Sequence, residues 1–394
     1  MTARIAQADE RYGMVDALRG FALFGLFVVH STELFELYWL HPEPGPVHDG
    51  VFFLFAGKSF ALFALCFGLS FHIVMERARA RGYDYSARFA WRLAILLALG
   101  LVHGLIYRGE ILQILALLGF TLIVFDRIRS SALLLTIAGL LLVQPFLILR
   151  VVAALSGAEW ALAEPGYWND PAMAVLGGGS LEEVVAANAY QGWRVKWAYY
   201  IDTGRLGQIA GLFLLGLVLG RARFFYAPDR FTRARRGVLA LALLLALAFW
   251  FIRPALLDAI PAGEAQAMTR PWLDALLSGY ANLAILAVQV ALFVELYQSV
   301  ARPVLRLFEA PGRMTLTLYV GQSLVFVPVF YGFGLGLHAT IGQTEALTLG
   351  LAAFALQALF ARLWFGHFCY GPLEWAWRAA TWTSLKVPLR RAGA

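Results

Sequence analysis

The chain has 394 residues, of which 60% are hydrophobic, 14% aromatic and only 14% charged. Soluble domains carry about 25% charged residues, and a water-exposed globule of this make-up would present large apolar patches. Together with a mean hydropathy of +0.69, the composition excludes a soluble enzyme and predicts an all-α, polytopic membrane helical bundle forming a single membrane domain over 1–394. The net charge of +7 does not imply nucleic acid as a partner, because the basic residues fall in short blocks between apolar runs, which is a topology signal. The two cysteines, Cys66 and Cys369, rule out a disulfide framework and a zinc site of the usual spacing, and no metal is expected.

In chain order, the opening twenty residues are polar and the apolar run after them is long enough to span, so no cleavable signal is expected. At roughly 20 apolar residues per crossing, about ten spans are predicted: 15–39, 51–75, 88–107, 110–126, 132–154, 205–225, 237–257, 276–299, 313–336 and 345–366. The third and fourth are joined by the tight turn Arg108-Gly109-Glu110. The longest non-spanning stretch, 156–204, is rich in Trp and Tyr. It is expected at the interface as an outer loop or partial lid, with 181–200 as a further short helix; anchoring at headgroup depth is the simpler account of its aromatics. The segment 371–387 reads as an amphipathic helix on the inner surface. FGLSFH at 67–72 echoes FGLGLH at 333–338, too briefly to define a repeat.

One set of loops holds Arg77, Arg79, Arg127, Arg129, Arg221, Arg235, Arg236, Arg302 and Arg306, while the opposite loops carry Glu43, Asp49, Glu159, Glu164, Asp170, Asp258 and Glu264. By the positive-inside rule both termini are cytoplasmic for an even number of spans.

Ionisable groups inside spans cost a few kcal/mol each, so they are default functional candidates. Arg19 and His30 lie eleven residues apart on the first span, about three turns plus 20°, which places them on one face roughly 16 Å apart. Imidazole suits general-base work near neutral pH; the alternative is an inner anchor snorkelling to headgroups and a packing hydrogen bond. His103, Tyr107, Arg108 and Glu110 form a second group near the outer surface, with His103 and Tyr107 as i, i+4 neighbours. Glu110 is expected to pair with Arg108 or His103, and His48 beside Asp49 is a more remote member. On the ninth span Thr315, Tyr319 and Gln322 make one polar face, which serves either helix association or a cavity lining. Arg313 at its start is a phosphate ligand or an anchor. His72, His338 and His367 sit near span ends and read as interfacial. No Walker loop, GxSxG elbow or dinucleotide fingerprint is present.

The runs VDALRGFALFGLFVVH, FALFALCFGLSFHI, RLAILLALGLVHGLIYRGEIL, GRMTLTLYVGQSL, YGFGLGL and FCYGPLEWAWRAATW resemble the YeiB-like family of bacterial inner-membrane proteins over residues 11–383. That family is grouped with transmembrane acyltransferases, including the acyltransferase-three and heparan-alpha-glucosaminide N-acetyltransferase families. The resemblance implies a multi-pass protein of the bacterial cytoplasmic membrane. It further implies transfer of an acyl group, commonly acetyl, from acyl-CoA to a hydroxyl or amine of an envelope or small-molecule acceptor. Three positions depart from the family pattern: His30 stands where Asn is usual, Leu318 where Asn is usual, and Glu110 where Asp is usual. The Arg19-ten residues-His30 spacing is instead similar to the acyltransferase-three signature, whose His is regarded as catalytic.

The expected roles follow. His30 is the general base, with His103 and Glu110 as catalytic partners orienting the acceptor. Arg19 and Arg313 hold the phosphates of the acyl-CoA co-substrate. Tyr319, Gln322, Tyr107 and His48 contact substrate. The lipid bilayer, the acyl donor and the acceptor are the expected partners, with a homo-oligomer open. The competing reading is a transporter or flippase for a small molecule or lipid-linked precursor, which ten spans with buried polar groups would serve equally well.

Overall fold

A computed structural model describes residues 2–260, 263 and 268–391, with side chains from residue 13; Glu264 lies outside the described residues. The described residues form helices, and the β content is one isolated bridge between Phe368 and Arg390. Without water to satisfy backbone groups in a bilayer, helices are the form such apolar runs must take.

Helix α1 (Thr2–Thr32) runs into a kinked 3-10 segment at Leu34–Leu40 that opens with a left-handed turn at 34–36, followed by α2 (Pro46–Leu54), α3 (Ser59–Ala80), α4 (Ser86–Ile106) and α5 (Leu112–Phe125). Next come α6 (Ser131–Val143) and α7 (Pro145–Leu155), which meet at Gln144, whose φ of 56° and the following proline break the fifth apolar run into two pieces. The outer stretch holds α8 (Glu159–Leu162), α9 (Ala172–Gly178), α10 (Leu181–Ala187), a π-turn at 188–192 and α11 (Trp193–Asp202). The rest comprises α12 (Arg205–Arg221), α13 (Thr232–Asp258), α14 (Thr269–Tyr297), α15 (Arg302–Leu305), α16 (Glu309–Arg313), α17 (Thr315–Phe330), α18 (Gln343–His367) and α19 (Pro372–Trp382).

Every predicted span falls on a helix, and seven to nine of them are candidate crossings by length and composition. Among the described residues seven helical stretches are long and apolar enough to cross by themselves, and up to nine if two bent pairs each count as one: Leu181–Asp202 with Arg205–Arg221, bent by 68°, and Arg302–Arg313 with Thr315–Phe330, bent by 80°. The fourth predicted span, 110–126, is the 14-residue α5, whose length of about 21 Å at 1.5 Å per residue falls short of a hydrocarbon core of about 30 Å. Lipid is the natural cover for α13, where Leu244 is 65% exposed and Phe251 66%, an apolar face that water would not tolerate.

Close backbone approach sets the packing at two crossings. A Cβ on Gly312 would sit 1.7 Å from the Asp16 carbonyl oxygen, so α16 lies directly against α1. A Cβ on Gly68 would lie 2.0 Å from the Phe213 carbonyl oxygen, and one on Gly216 would lie 2.1 Å from that of Leu65, so α3 and α12 cross through glycines on both sides. Small residues at such crossings are how membrane helices gain van der Waals contact.

The basic belt collects at one end. Arg79 pairs with Asp126 at 2.7 Å, and Arg221 donates to the carbonyls of Asp126 and Ile128 at 2.9 and 2.7 Å. The closing helix α19 is shorter than the predicted 371–387, because Thr383 adopts a φ of 49° and ends it. Nor is it merely surface-bound. Trp377 donates to the Arg92 carbonyl at 2.9 Å, the Arg92 guanidinium stacks on Trp377, and Glu374 accepts from the Leu316 and Thr317 amides at 2.7 and 3.1 Å, capping α17. The two echo segments share no local structure, since 67–72 is mid-helix in α3 whereas 333–338 forms a turn.

Candidate functional site

The site grows from the end of α1. Leu34, Phe35 and Glu36 have φ values of 51°, 49° and 83°, a run of left-handed residues without glycine that costs of order 1–3 kcal/mol each. This turn folds Glu36 back beneath the last turn of α1, facing the α4–α5 connection. There Tyr107, fully buried, holds its hydroxyl 2.9 Å from His30 Nδ1 and 3.1 Å from Glu36 Oε1. The second Glu36 oxygen accepts from Arg108 Nε at 3.2 Å, and Arg108 reaches on to Asp170 and to Met173 in the outer stretch.

Proton accounting fixes the tautomer of His30. Glu36, paired with Arg108, only accepts, and the neutral Tyr107 hydroxyl beside it is a donor. Its single proton therefore goes to Glu36. The contact with the imidazole must then be His30 Nδ1–H donating to Tyr107. Nε2, which makes no hydrogen bond among the described residues, is left with the basic lone pair. The ring stands edge-on to Tyr107 and beside Phe35, with centroids 5.6 and 5.7 Å away.

Glu110, which was expected to pair with Arg108 or His103, does neither. Lys196 donates to it at 3.0 Å from α11, and its carboxylate accepts the Leu112 amide at 2.7 Å, capping α5. Glu110 is thus a buried cap and ion pair, anchoring the outer stretch to the bundle. Asn188 of the π-turn helps, donating to the carbonyls of Leu105 and Ile106 at the end of α4. His103 is buried with both ring nitrogens lacking a partner, 5.5 Å from the Tyr319 ring and 6.1 Å from that of Tyr107. The rings of Tyr319, His103, Tyr107 and His30 consequently form one continuous series.

Tyr319 accepts the Ile111 amide at 3.0 Å, whereas Gln322 donates to Gln357 on α18 at 2.9 Å and serves helix association. His48 does not join the group. It packs between Tyr38 and Phe52 and contacts Asp49 at 3.2 Å. Arg19 is heavily engaged, donating to the Gly312 carbonyl through Nε and Nη2 at 3.0 and 2.8 Å and pairing with Asp16 at 2.6 Å. Its Nη1 has one contact, Ser70 at 3.4 Å. Arg313 stacks on Phe365 at 4.0 Å. Arg19 lines a narrow, mostly apolar cavity of about 150 Å³ that extends past Cys66 and Leu115 to Tyr319. His30 does not line it.

Sequence reasoning missed Glu36 and Lys196. Both follow apolar or aromatic runs, and their partners stand 71 and 86 residues away. The one local signal was a carboxylate at the very end of an otherwise apolar span.

The fold and this buried His–Tyr–carboxylate centre define a multi-pass helical membrane protein with a buried polar centre. Residues 11–190, which contain His30, Glu36, His103, Tyr107, Arg108 and Glu110, match the family model described as heparan-alpha-glucosaminide N-acetyltransferase, catalytic. Residues 219–384 match the model described as protein of unknown function (DUF418). Similar proteins include uncharacterized protein YxaH of Bacillus subtilis, 29% identical with 95% of each chain covered, and uncharacterized protein YeiB of Escherichia coli, 26% identical over 94% of this chain and 96% of its own. A 39.9 kDa protein encoded in the amylase 3' region of Bacillus acidopullulyticus is 25% identical over 97% of this chain and 96% of its own. The chain is thus similar to YxaH and YeiB over nearly its whole length, and its first half is similar to an N-acetyltransferase catalytic region.

Proposed function

We propose that the protein is an integral membrane acyltransferase of the bacterial cytoplasmic membrane, using acyl-CoA as donor and His30 Nε2 as general base. The Glu36–Tyr107–His30 chain is the observation that carries this reading, because it orients the imidazole and leaves Nε2 as the proton acceptor, the arrangement a general base needs. The likeness of residues 11–190 to an acetyltransferase catalytic region supports it.

The acceptor hydroxyl or amine gives its proton to Nε2 as its oxygen or nitrogen attacks the thioester carbonyl. The C–S bond then breaks, and the departing thiolate takes the proton from the imidazolium. The slot from Arg19 to Tyr319 is narrow and apolar, which fits the acylated arm of the donor rather than its nucleotide. Arg19 Nη1, with Arg313 nearby, holds a donor phosphate at the slot's mouth, and Tyr319 and His103 line the path toward His30.

The test is acetyl transfer from labelled acetyl-CoA by purified protein in nanodiscs. His30→Ala should lower turnover about 10²–10⁴-fold with an unchanged melting profile. Wild-type rates in this variant would overturn the mechanism. Uptake or efflux of substrate by proteoliposomes lacking any acyl donor would favour the transporter instead.

A further inference from the structure

A second cavity, of about 610 Å³, lies apart from the narrow one lined by Arg19. It opens between α11, α12, α13 and α14, at the end of α12 opposite Arg221 and the basic belt, about 24 Å away along sixteen residues of helix. Arg205 occupies its wall. The guanidinium sits over the rings of Phe60 and Tyr199, at 4.4 and 4.7 Å, and among the described residues it makes no hydrogen bond and no ion pair.

The other cations of the cavity are already neutralised: Arg253 by Asp274 at 2.6 Å and Arg270 by Asp258 at 3.1 Å. Arg205 feels a second positive charge, that of Lys58, whose ammonium meets only the backbone carbonyls of Phe52 and Ala56. Glu33 is within the reach of its field but forms no ion pair with it. A half-buried cation on a cavity wall without an ion-pair partner is a ready anion ligand. Around it, Tyr167 and Trp168 offer flat faces, and Asn282 and Thr203 offer neutral hydrogen-bonding groups.

We propose that this cavity binds an anionic saccharide, a sugar bearing one phosphate or carboxylate. Arg205 takes the anion, the aromatic faces take the sugar ring and the amide and hydroxyl groups take its hydroxyls. Resting on the acyltransferase reading, this names the acceptor class. Helix α11 supplies Tyr199 to the cavity wall and holds Glu110 through Lys196 at 3.0 Å, so one helix links the cavity to the α4–α5 connection that carries Tyr107.

Binding is measured by calorimetry on the full protein in phosphatidylcholine nanodiscs, without acyl donor, using glucose 1-phosphate, glucuronate and glucose as probes. Both anionic sugars should bind at least tenfold more tightly than glucose. Arg205→Gln should remove that preference, Arg205→Lys should keep part of it, and His30→Ala should leave it intact. Should Arg205→Gln fail to fold, the discrimination by the wild-type protein decides alone. Equal binding of glucose and glucose 1-phosphate overturns the proposal, as does an anion preference that survives Arg205→Gln. Phosphatidylglycerol in the nanodisc displacing both sugars would assign the anion to a lipid headgroup and overturn the saccharide assignment. Loss of acetyl transfer with sugar binding intact bears on His30, whereas loss of sugar binding with His30 chemistry intact bears on this site.

Discussion

At the residue scale, the centre is set by one hydroxyl. Tyr107→Phe preserves the buried ring but removes the group that fixes Nδ1–H of His30, so both tautomers become available and the correct one is no longer enforced. Turnover should fall about 10–100-fold with the KM for acyl-CoA nearly unchanged, as steady-state kinetics would show, because orientation of a base acts on the chemical step rather than on donor binding. Glu36→Gln should act in the same direction. Lys196 and Glu110 obey different physics. Lys196→Met leaves a carboxylate buried without its cation, which costs about 3–5 kcal/mol, whereas the double variant Lys196→Met with Glu110→Gln should recover much of that loss. Thermal unfolding of the two variants decides whether the pair is structural, as the α5 cap indicates.

At the scale of elements, the bundle depends on glycine crossings and on one cap supplied from far away in sequence. Gly216→Ala forces α12 away from the Leu65 carbonyl. Overpacking of this kind costs about 1–3 kcal/mol, measurable as a lower melting temperature in detergent. Glu374→Ala leaves the first amides of α17 and the Thr317 hydroxyl without their acceptor, a loss of about 0.5–2 kcal/mol. Because α17 carries Tyr319, this variant should also disturb the wall of the narrow cavity. The left-handed turn at 34–36 belongs here too. Its strain persists because the ring of Phe35, fully buried against Phe27, Phe326 and Tyr107, and the Glu36 contacts hold it.

At the scale of the whole molecule, charge separates the two ends. The Arg79–Asp126–Arg221 belt marks one, and the carboxylates around His30, together with the Arg205 cavity, mark the other. If the belt faces the cytoplasm, as the positive-inside rule requires, a cysteine at Trp168 should react with an impermeant maleimide in intact cells of a Cys369→Ser background. A cysteine at Arg127 should react only after permeabilisation. The reverse labelling pattern would invert the route of donor and acceptor.

By itself, the sequence determined the class of fold, the positions of the apolar helices and the short list of polar groups within them, because the cost of a charge or an open backbone in lipid is local and can be read residue by residue. His30, His103, Tyr107 and Glu110 were legible for that reason. Who meets whom was not. Glu36 reaches Tyr107 through a left-handed turn that no local propensity announces, Lys196 crosses 86 residues to Glu110, and Arg205 is without a counter-ion only because its neighbours pair with one another. Partner choice is settled by packing between helices distant in sequence, and only the tertiary structure decided it.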